Sequence, residues 1–114
     1  MSRKISTLMA LSLVLSANVF ADSTGTIFRV VCHATGVSPV CHVSLNGTPT
    51  TLAACSTSGW HYTFDGSTTE GKNVLSIILA AQLSKQTITI GGKGVCTLAG
   101  GSEDLRHVYI TTLP

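Results

Sequence analysis

The densest cluster of side chains with binding chemistry is the run Trp60, His61 and Tyr62, in a chain with few aromatic residues. Sugar-binding sites combine an aromatic face, which packs on the apolar side of a sugar ring, with short polar groups that hydrogen-bond its hydroxyls. Ser56 and Ser58 stand just before the run. The pattern therefore predicts a glycan site at Ser56, Ser58, Trp60, His61 and Tyr62. The alternative is that Trp60 and Tyr62 are core residues of a small domain, with His61 exposed on the opposite face of a strand.

Two Val-Cys-His triplets, which begin at Val31 and Val40, raise the question of a metal site. Zinc takes four ligands that converge on a tetrahedron, whereas adjacent strand residues point to opposite faces. The chain also has no Cys-x-x-Cys spacing. If the cysteines face inward, His33 and His42 face outward across from each other and become charged together below about pH 6.5. We therefore predict no metal site and no cofactor, and we expect both histidines to be polar surface residues.

Patterns that would indicate catalysis are weak. The run from Gly91 to Gly94 lacks the spacing of a phosphate-binding loop and leads into a strand rather than a helix, which indicates a turn. No Gly-x-Ser-x-Gly or comparable nucleophile context occurs. Asp65 and Glu70 suit turn and helix-cap roles better than a glycosidase pair, because so small a domain offers little cleft. We therefore expect a protein that is not an enzyme.

The first 21 residues have the pattern of a secretory signal peptide. Arg3 and Lys4 precede an apolar run from Ile5 to Leu15, and Ala21 ends a suitable cleavage site. The run is shorter than the roughly 20 apolar residues of a transmembrane helix and contains serine and threonine. We expect residues 1–21 to be removed and residues 22–114 to form one secreted or periplasmic domain without membrane insertion.

Removal of that segment also removes the excess positive charge. The full chain has seven Lys and Arg against five Asp and Glu, and Arg3 and Lys4 account for the difference. Nucleic-acid binding depends on clustered Lys and Arg that neutralise phosphates. No such cluster remains after residue 21, which argues against a nucleic-acid partner.

The elements that would position these residues are mostly strands. Runs of β-branched and aromatic residues predict strands at 26–33, 40–45, 50–56, 60–64, 87–90 with 95–98, and 105–112. In the first two, alternation places Phe28, Val30 and Cys32 on one face and Cys41, Val43 and Leu45 on the partner's face, with the cysteines on the core side. Asn46-Gly47 predicts a tight turn after the second of them.

Four cysteines fit the need of a small exported domain for cross-links. Three pairings are possible. We favour Cys32–Cys41 together with Cys55–Cys96, the first because of the strand geometry. We therefore expect a domain that is cross-linked by two disulfide bonds.

One helix is predicted, from Gly71 or a little earlier to Lys85. Ser67 and Glu70 form a candidate capping box, with Thr68 or Thr69 as alternative starts. One stripe of the helix carries Val74, Ile77, Ile78 and Ala81, and a second carries Leu75, Leu79 and Leu83. Because a small sheet covers only one stripe, we expect loops, another subunit or a partner to bury the leucines.

The order of elements predicts a mostly β (α+β) fold. We expect a small OB-like five-stranded barrel, with one helix between the third or fourth strand and the last two strands. An open α+β sheet with the helix on its face is the alternative.

The chain resembles the receptor-binding B subunits of bacterial A–B toxins that form pentamers, in particular the subtilase-cytotoxin and pertussis-like kind. The resemblance rests on Ala54-Cys55-Ser56 with Trp60, on the helix, and on two closing strands that carry Cys96. It implies an OB-fold protomer, a ring of five with the helices facing the axis, binding of cell-surface glycans, and a catalytic A chain as a possible partner.

These observations together predict a secreted, non-catalytic binding module that recognises glycans as a homo-oligomer. Leu75, Leu79 and Leu83 are its expected oligomer interface. The alternative is a monomeric periplasmic or secreted interaction or inhibitor protein.

Overall fold

The computed structural model describes residues 21–34 and 39–111. The predicted signal peptide lies outside these ranges except for Ala21, as does the predicted end of the last strand at Thr112. The described chain is mostly β with one helix. Its elements are β1 (Asp22–Gly25), β2 (Ile27–Cys32), β3 (Val40–Leu45), β4 (Tyr62–Asp65), α1 (Thr69–Ser84), β5 (Ile88–Gly92) and β6 (Glu103–Ile110).

The six strands form one curled, mixed sheet with the order β1-β5-β6-β4-β3-β2. Neighbouring strands are antiparallel except β4 and β6, which run parallel through the pair Tyr62 and Glu103. The two outermost strands, β1 and β2, follow each other in the chain with only Thr26 between them. The carbonyl of Thr26 accepts the Asn46 N–H at 2.9 Å, which ties the end of β3 to this corner. The sheet is thus bent into a half-barrel.

The predicted count of five strands is wrong, because β1 lies before the first predicted strand at 26–33 and pairs with β5, a different neighbour from that of β2. β1 has no apolar pattern to predict it. Its sequence is Asp-Ser-Thr-Gly, and pairing with β5 places it in the sheet. A buried hydrogen bond of 2.6 Å between the hydroxyls of Ser23 and Tyr62 also holds it there.

The strands predicted at 50–56 and 95–98 do not form. Instead, two buried carboxylates at the start of β6 accept the backbone N–H groups of these segments. Glu103 accepts the N–H of Ala53 at 2.6 Å, and Asp104 accepts those of Thr97 at 3.0 Å and Leu98 at 3.1 Å. In these segments, hydrogen bonds to carboxylates take the place of the expected hydrogen bonds between strands. Neither segment has a local sequence pattern that indicates this.

A register shift between Ile27 and Arg29 overturns part of the predicted strand alternation. Phe28 was expected on the core side but is 60% exposed. Cys32 was also expected on the core side and is exposed. On β3, Cys41, Val43 and Leu45 are buried as expected, but Val40 and Ser44 of the other face are buried too, so burial does not alternate there. The extra residue in β2 turns one side chain from the core face to the outer face.

The last strand contains a second shift, where Gly91 pairs with His107 and Gly92 with Leu105. The shift breaks strict alternation, so that Leu105 and Val108 are both buried. Gly91 and Gly92 are the end of β5 rather than a turn, which corrects the expectation for this run. A Cβ on Gly92 would collide with the Glu103 carboxylate, so the close approach of that side chain requires glycine.

The helix begins at the alternative start rather than at the predicted capping box. Thr68 is the N-cap, and its hydroxyl accepts the Gly71 N–H at 2.9 Å. Ser67 instead donates from its N–H and its hydroxyl to the Asp65 carboxylate. Ile78 and Ala81 of the predicted stripe are buried in the core. Among the described residues, no helix is long and apolar enough to cross a bilayer.

Both predicted disulfides, Cys32–Cys41 and Cys55–Cys96, are present. The first joins directly paired residues of β2 and β3. The second joins the two irregular segments that Glu103 and Asp104 hold. The core between sheet and helix contains Cys41, Val43, Leu45, Tyr62, Phe64, Ile78, Ala81, Ile88, Ile90, Leu105 and Val108.

Candidate functional site

The five residues predicted to bind a glycan lie in different environments. Trp60 is half-buried at the surface, whereas His61 is 7% exposed and Tyr62 is fully buried. Strand β4 begins only at Tyr62, so His61 and Tyr62 do not alternate between two faces as strand residues would. The expectation that His61 is exposed opposite a buried Trp60 is therefore reversed.

The two predicted serines organise the loop that carries Trp60. The hydroxyl of Ser56 donates to the carbonyl of His61 at 2.9 Å. Ser58 shares a hydroxyl hydrogen bond of 3.1 Å with Ser102 and accepts the Trp60 N–H at 3.3 Å. Both side chains position the loop through contacts within the protein.

Tyr62 lies in the core, not at the surface. Its hydroxyl bonds to Ser23, whose own hydroxyl bonds to that of Thr51 at 2.7 Å. Burial raises the pKa of Tyr62, against a smaller opposite effect of the hydrogen bond from Ser23. The side chain is a neutral anchor between β4 and β1.

Trp60 belongs to a chain of ring contacts on the outer face of β2 and β3, which we call the aromatic strip: Phe28, Arg29, Trp60, His42 and His33. The Arg29 guanidinium carbon lies 4.0 Å from the Trp60 ring centre and 5.6 Å from that of Phe28. The rings of Trp60 and His42 are 5.7 Å apart, and those of His42 and His33 are 5.5 Å apart. The strip thus joins aromatic and cationic groups in one continuous surface.

Charge on the strip depends on pH. Arg29 is always positive, and no acidic residue belongs to the strip. Burial, and to a lesser extent His33, lower the pKa of His42. The Nδ1 atom of His42 is buried and has no hydrogen-bond partner. His42 is therefore neutral at pH 7, and the strip gains positive charge on acidification.

A groove of about 330 Å³ opens beside the strip. Phe28 forms one edge, and the rest of the lining includes the short polar residues Ser44, Asn46 and Thr48 together with His61. The Asn46 amide donates to the Thr26 hydroxyl at 2.9 Å, and Ser44 donates to the Gly59 carbonyl at 2.8 Å. These bonds fix the polar wall, and Gly47 makes the turn behind it with φ +75°.

His61 connects the groove to the interior. Its Nδ1 accepts the N–H of Leu45 at 3.0 Å, and its own N–H donates to the Ser44 hydroxyl at 3.4 Å. Burial lowers the pKa of His61, with a further contribution from the positive charge of Arg29. The ring is accordingly neutral at pH 7 and acts as a strut between β3 and the loop before β4.

Sequence reasoning found Trp60 and His61 but missed Phe28, Arg29, Ser44 and Thr48. Phe28 was assigned to the core because the register shift has no clear sequence signal. Asn46-Gly47 was recognised as a turn, but its place in a groove depends on the contact between that turn and β2. Phe28 lies on β2, whereas the polar residues of the groove lie at and after the end of β3, so the fold is needed to bring them together.

The leucine stripe of α1 is only partly covered. Leu83 is 86% exposed and Leu79 is 41% exposed, whereas Leu75 packs partly against the core. The stripe therefore leaves an apolar surface on the outer side of the helix.

No group of three or more His, Cys, Asp or Glu residues within the described ranges is arranged to hold a metal ion. Asp65 caps its own turn, and the hydrogen bonds from Ser67 lower its pKa. Asp22 forms an ion pair with Arg106 at 3.1 Å, and its other carboxylate oxygen lies 3.4 Å from Nε2 of His107. These acidic groups are engaged in local structure.

No family model, curated protein or solved structure matches the chain. The functional proposal below therefore depends on the residues and their geometry.

Proposed function

We propose that this protein is a secreted, non-catalytic binding module that recognises cell-surface glycans through the groove beside the aromatic strip. The observation that carries the proposal is the position of Phe28. This aromatic residue is 60% exposed and lines the same groove as several short polar side chains. An exposed aromatic edge beside fixed hydroxyl and amide groups matches what a sugar ring requires.

Arg29 and Trp60 support the same surface. Stacking on the indole ring holds the guanidinium over a rigid base. A guanidinium offers several N–H donors in a planar array, and sugar hydroxyls and ring oxygens accept hydrogen bonds. The pair therefore extends the groove with oriented donors.

The proposed compartment is the periplasm or the exterior. Two disulfides in a small domain are typical of an oxidising environment, and the pattern of residues 1–21 fits export.

The proposed architecture is an OB-like barrel. If the bent stretch of β1 and β2 counts as one strand, five strands remain, with the helix between the third and fourth. The β1 half of that strand pairs with β5, and the β2 half pairs with β3. The two outermost strands of the sheet are therefore joined through one continuous segment of chain.

The proposal also includes self-association as a toxin B-type subunit, with five copies as the resemblance implies and a catalytic chain as partner. Exposed leucines on the outer face of α1 support an interface there, because an unpartnered apolar stripe is costly in water. Light scattering after size exclusion should give a mass of several protomers. Leu79→Gln with Leu83→Gln should lower it, and Lys72→Gln, on an exposed position of the same helix, should not.

A glycan array tests the binding function. The wild-type protein should bind a restricted set of oligosaccharides, and Phe28→Ala and Trp60→Ala should each abolish or strongly reduce that signal. Tyr109→Ala is the matched control, because Tyr109 is 49% exposed on β6, away from the groove lining.

Unchanged binding by the Phe28 and Trp60 variants would contradict this site. A strictly monomeric protein that binds no oligosaccharide would instead favour the alternative, a monomeric interaction or inhibitor protein.

A further inference from the structure

The imidazole of His61 is held in a single tautomer where it borders the groove. Nδ1 accepts the Leu45 N–H at 3.0 Å, so the proton of the neutral ring must lie on Nε2. Within residues 21–34 and 39–111, no side chain or carbonyl bonds to Nε2. His61 is one of the groove-lining residues, so an Nε2–H without a partner in the described protein is available to a ligand in the groove.

The position of this donor is fixed from several sides. The His61 carbonyl accepts the Ser56 hydroxyl at 2.9 Å and the Glu103 N–H at 3.2 Å. The His61 N–H bonds to Ser44, which itself bonds to Gly59. A preorganised donor gives selectivity at little entropic cost, because the protein has already lost the freedom that binding would otherwise remove.

We propose that His61 is a specificity-determining residue of the groove, which donates from Nε2 to an acceptor oxygen of the glycan, and that binding weakens when the ring takes up a second proton. The inference rests on the proposed glycan-binding function. It favours glycans that place an acceptor oxygen within hydrogen-bond distance of Nε2 of His61.

The effect of protonation follows from the partner of Nδ1. A proton on Nδ1 would face the N–H of Leu45, and two donors cannot bond to each other. Either the ring or the end of β3 must then move, and the groove wall continues directly from Leu45 to Gly47. Acidification should therefore distort the groove.

The surrounding charges favour the neutral ring. Arg29 on β2 is the positive group whose charge acts on His61. His42 on β3 contacts Trp60, and the Glu103 carboxylate on β6 is engaged by the N–H groups of Ala53 and Gly94. Burial and Arg29 both lower the pKa of His61, so the change in binding should occur below pH 6.5, its ordinary value.

Two substitutions separate donor chemistry from packing. Glutamine carries an acceptor and a donor on one side chain and does not titrate, so His61→Gln can keep both hydrogen bonds. Leucine fills similar space but makes neither. Calorimetry at pH 7.5 and 5.5 would use the oligosaccharide with the strongest wild-type array signal.

For the wild-type protein we expect weaker binding at pH 5.5 than at pH 7.5. His61→Gln should bind within about threefold of wild type at pH 7.5 and with little pH dependence. His61→Leu should lose about tenfold or more, the equivalent of one hydrogen bond of about 1.4 kcal/mol. His107→Gln, which replaces a histidine outside the groove, should keep the wild-type pH profile.

The outcomes distinguish this inference from the function on which it rests. If the wild-type protein binds no array glycan, the proposed function fails. If it binds, but His61→Leu binds equally well or the pH profile of His61→Gln equals that of wild type, only the role of His61 is overturned. Should His61→Leu not fold, ¹⁵N NMR of the wild-type ring decides, because a proton on Nδ1 rather than Nε2 at pH 7.5 would also overturn it.

Discussion

The guanidinium carbon of Arg29 lies 4.0 Å from the centre of the Trp60 ring, so that a charge on β2 rests on an indole from the loop before β4. This contact links two parts of the chain that are 31 residues apart. It places Trp60 on the outer surface with an ordered cation above it, rather than in the core.

Arg29→Ala should lower the free energy of unfolding by about 0.5–1 kcal/mol, because the exposed cation–π contact is lost. The chain has one tryptophan, so circular dichroism rather than tryptophan fluorescence must follow urea unfolding in variants that replace Trp60. In a double-mutant cycle with Trp60→Leu, the two effects should not add. Additive effects would show that the two side chains do not interact.

Tyr62→Phe should destabilise the protein by about 1–2 kcal/mol, because it leaves the buried Ser23 hydroxyl without the bond of 2.6 Å. Tyr109→Phe is the control. Its ring is 49% exposed, and removal of its hydroxyl should change stability by less than about 0.5 kcal/mol. Equal effects of the two substitutions in urea unfolding would contradict the role given to Tyr62.

Glu103→Gln should loosen both segments that meet at the Cys55–Cys96 disulfide. The carboxylate accepts the N–H groups of Ala53 and Gly94, and an amide would turn its own donor toward one of them. We expect a loss of about 1–3 kcal/mol and faster hydrogen exchange at Ala53 and Gly94. Glu70→Gln, at an exposed position of α1, should leave exchange at both sites unchanged.

Stability should fall on acidification below pH 6.5. The pKa values of His42 and His61 are both lowered in the folded protein, chiefly by burial. Below pH 6.5 the unfolded chain therefore binds more protons than the folded protein does. The contribution of these neutral rings to the free energy of unfolding is present in full above pH 6.5, their ordinary pKa, and is lost as the pH falls through their pKa values in the folded state. The melting temperature between pH 7.5 and 5 measures this loss. His61→Gln should make the melting temperature depend less on pH. A melting temperature that rises on acidification would contradict both assignments.

The sequence predicted those elements whose signals are local. The burial of Cys41, Val43 and Leu45 on β3, the stripe with Ile78 and Ala81 on α1, and both disulfides agree with the structure. On α1 the pattern reflects burial of one face of a regular element, and periodicity reports that directly. Cys55–Cys96 joins irregular segments and is the pairing that remains once Cys32 and Cys41 are paired.

What the sequence did not predict depends on distant contacts. The irregular path of 50–56 and 95–98 follows from Glu103 and Asp104, which lie elsewhere in the chain. β1 depends on β5, and the outward turn of Phe28 depends on a register shift against β3. For the site, Trp60 was found because aromatic residues cluster there, while Phe28 and the polar wall required the fold.

If the groove beside Phe28 holds a glycan, as we propose, the signals of its lining residues should change when the ligand is added. The most direct test is a two-dimensional ¹H–¹⁵N spectrum of the ¹⁵N-labelled protein, titrated with the array oligosaccharide that gives the strongest signal. We expect shifts at the groove-lining residues Phe28, Ser44, Asn46, Gly59 and His61, with little change along the exposed side of α1. Shifts confined to other surfaces, or none at saturating oligosaccharide, would contradict it.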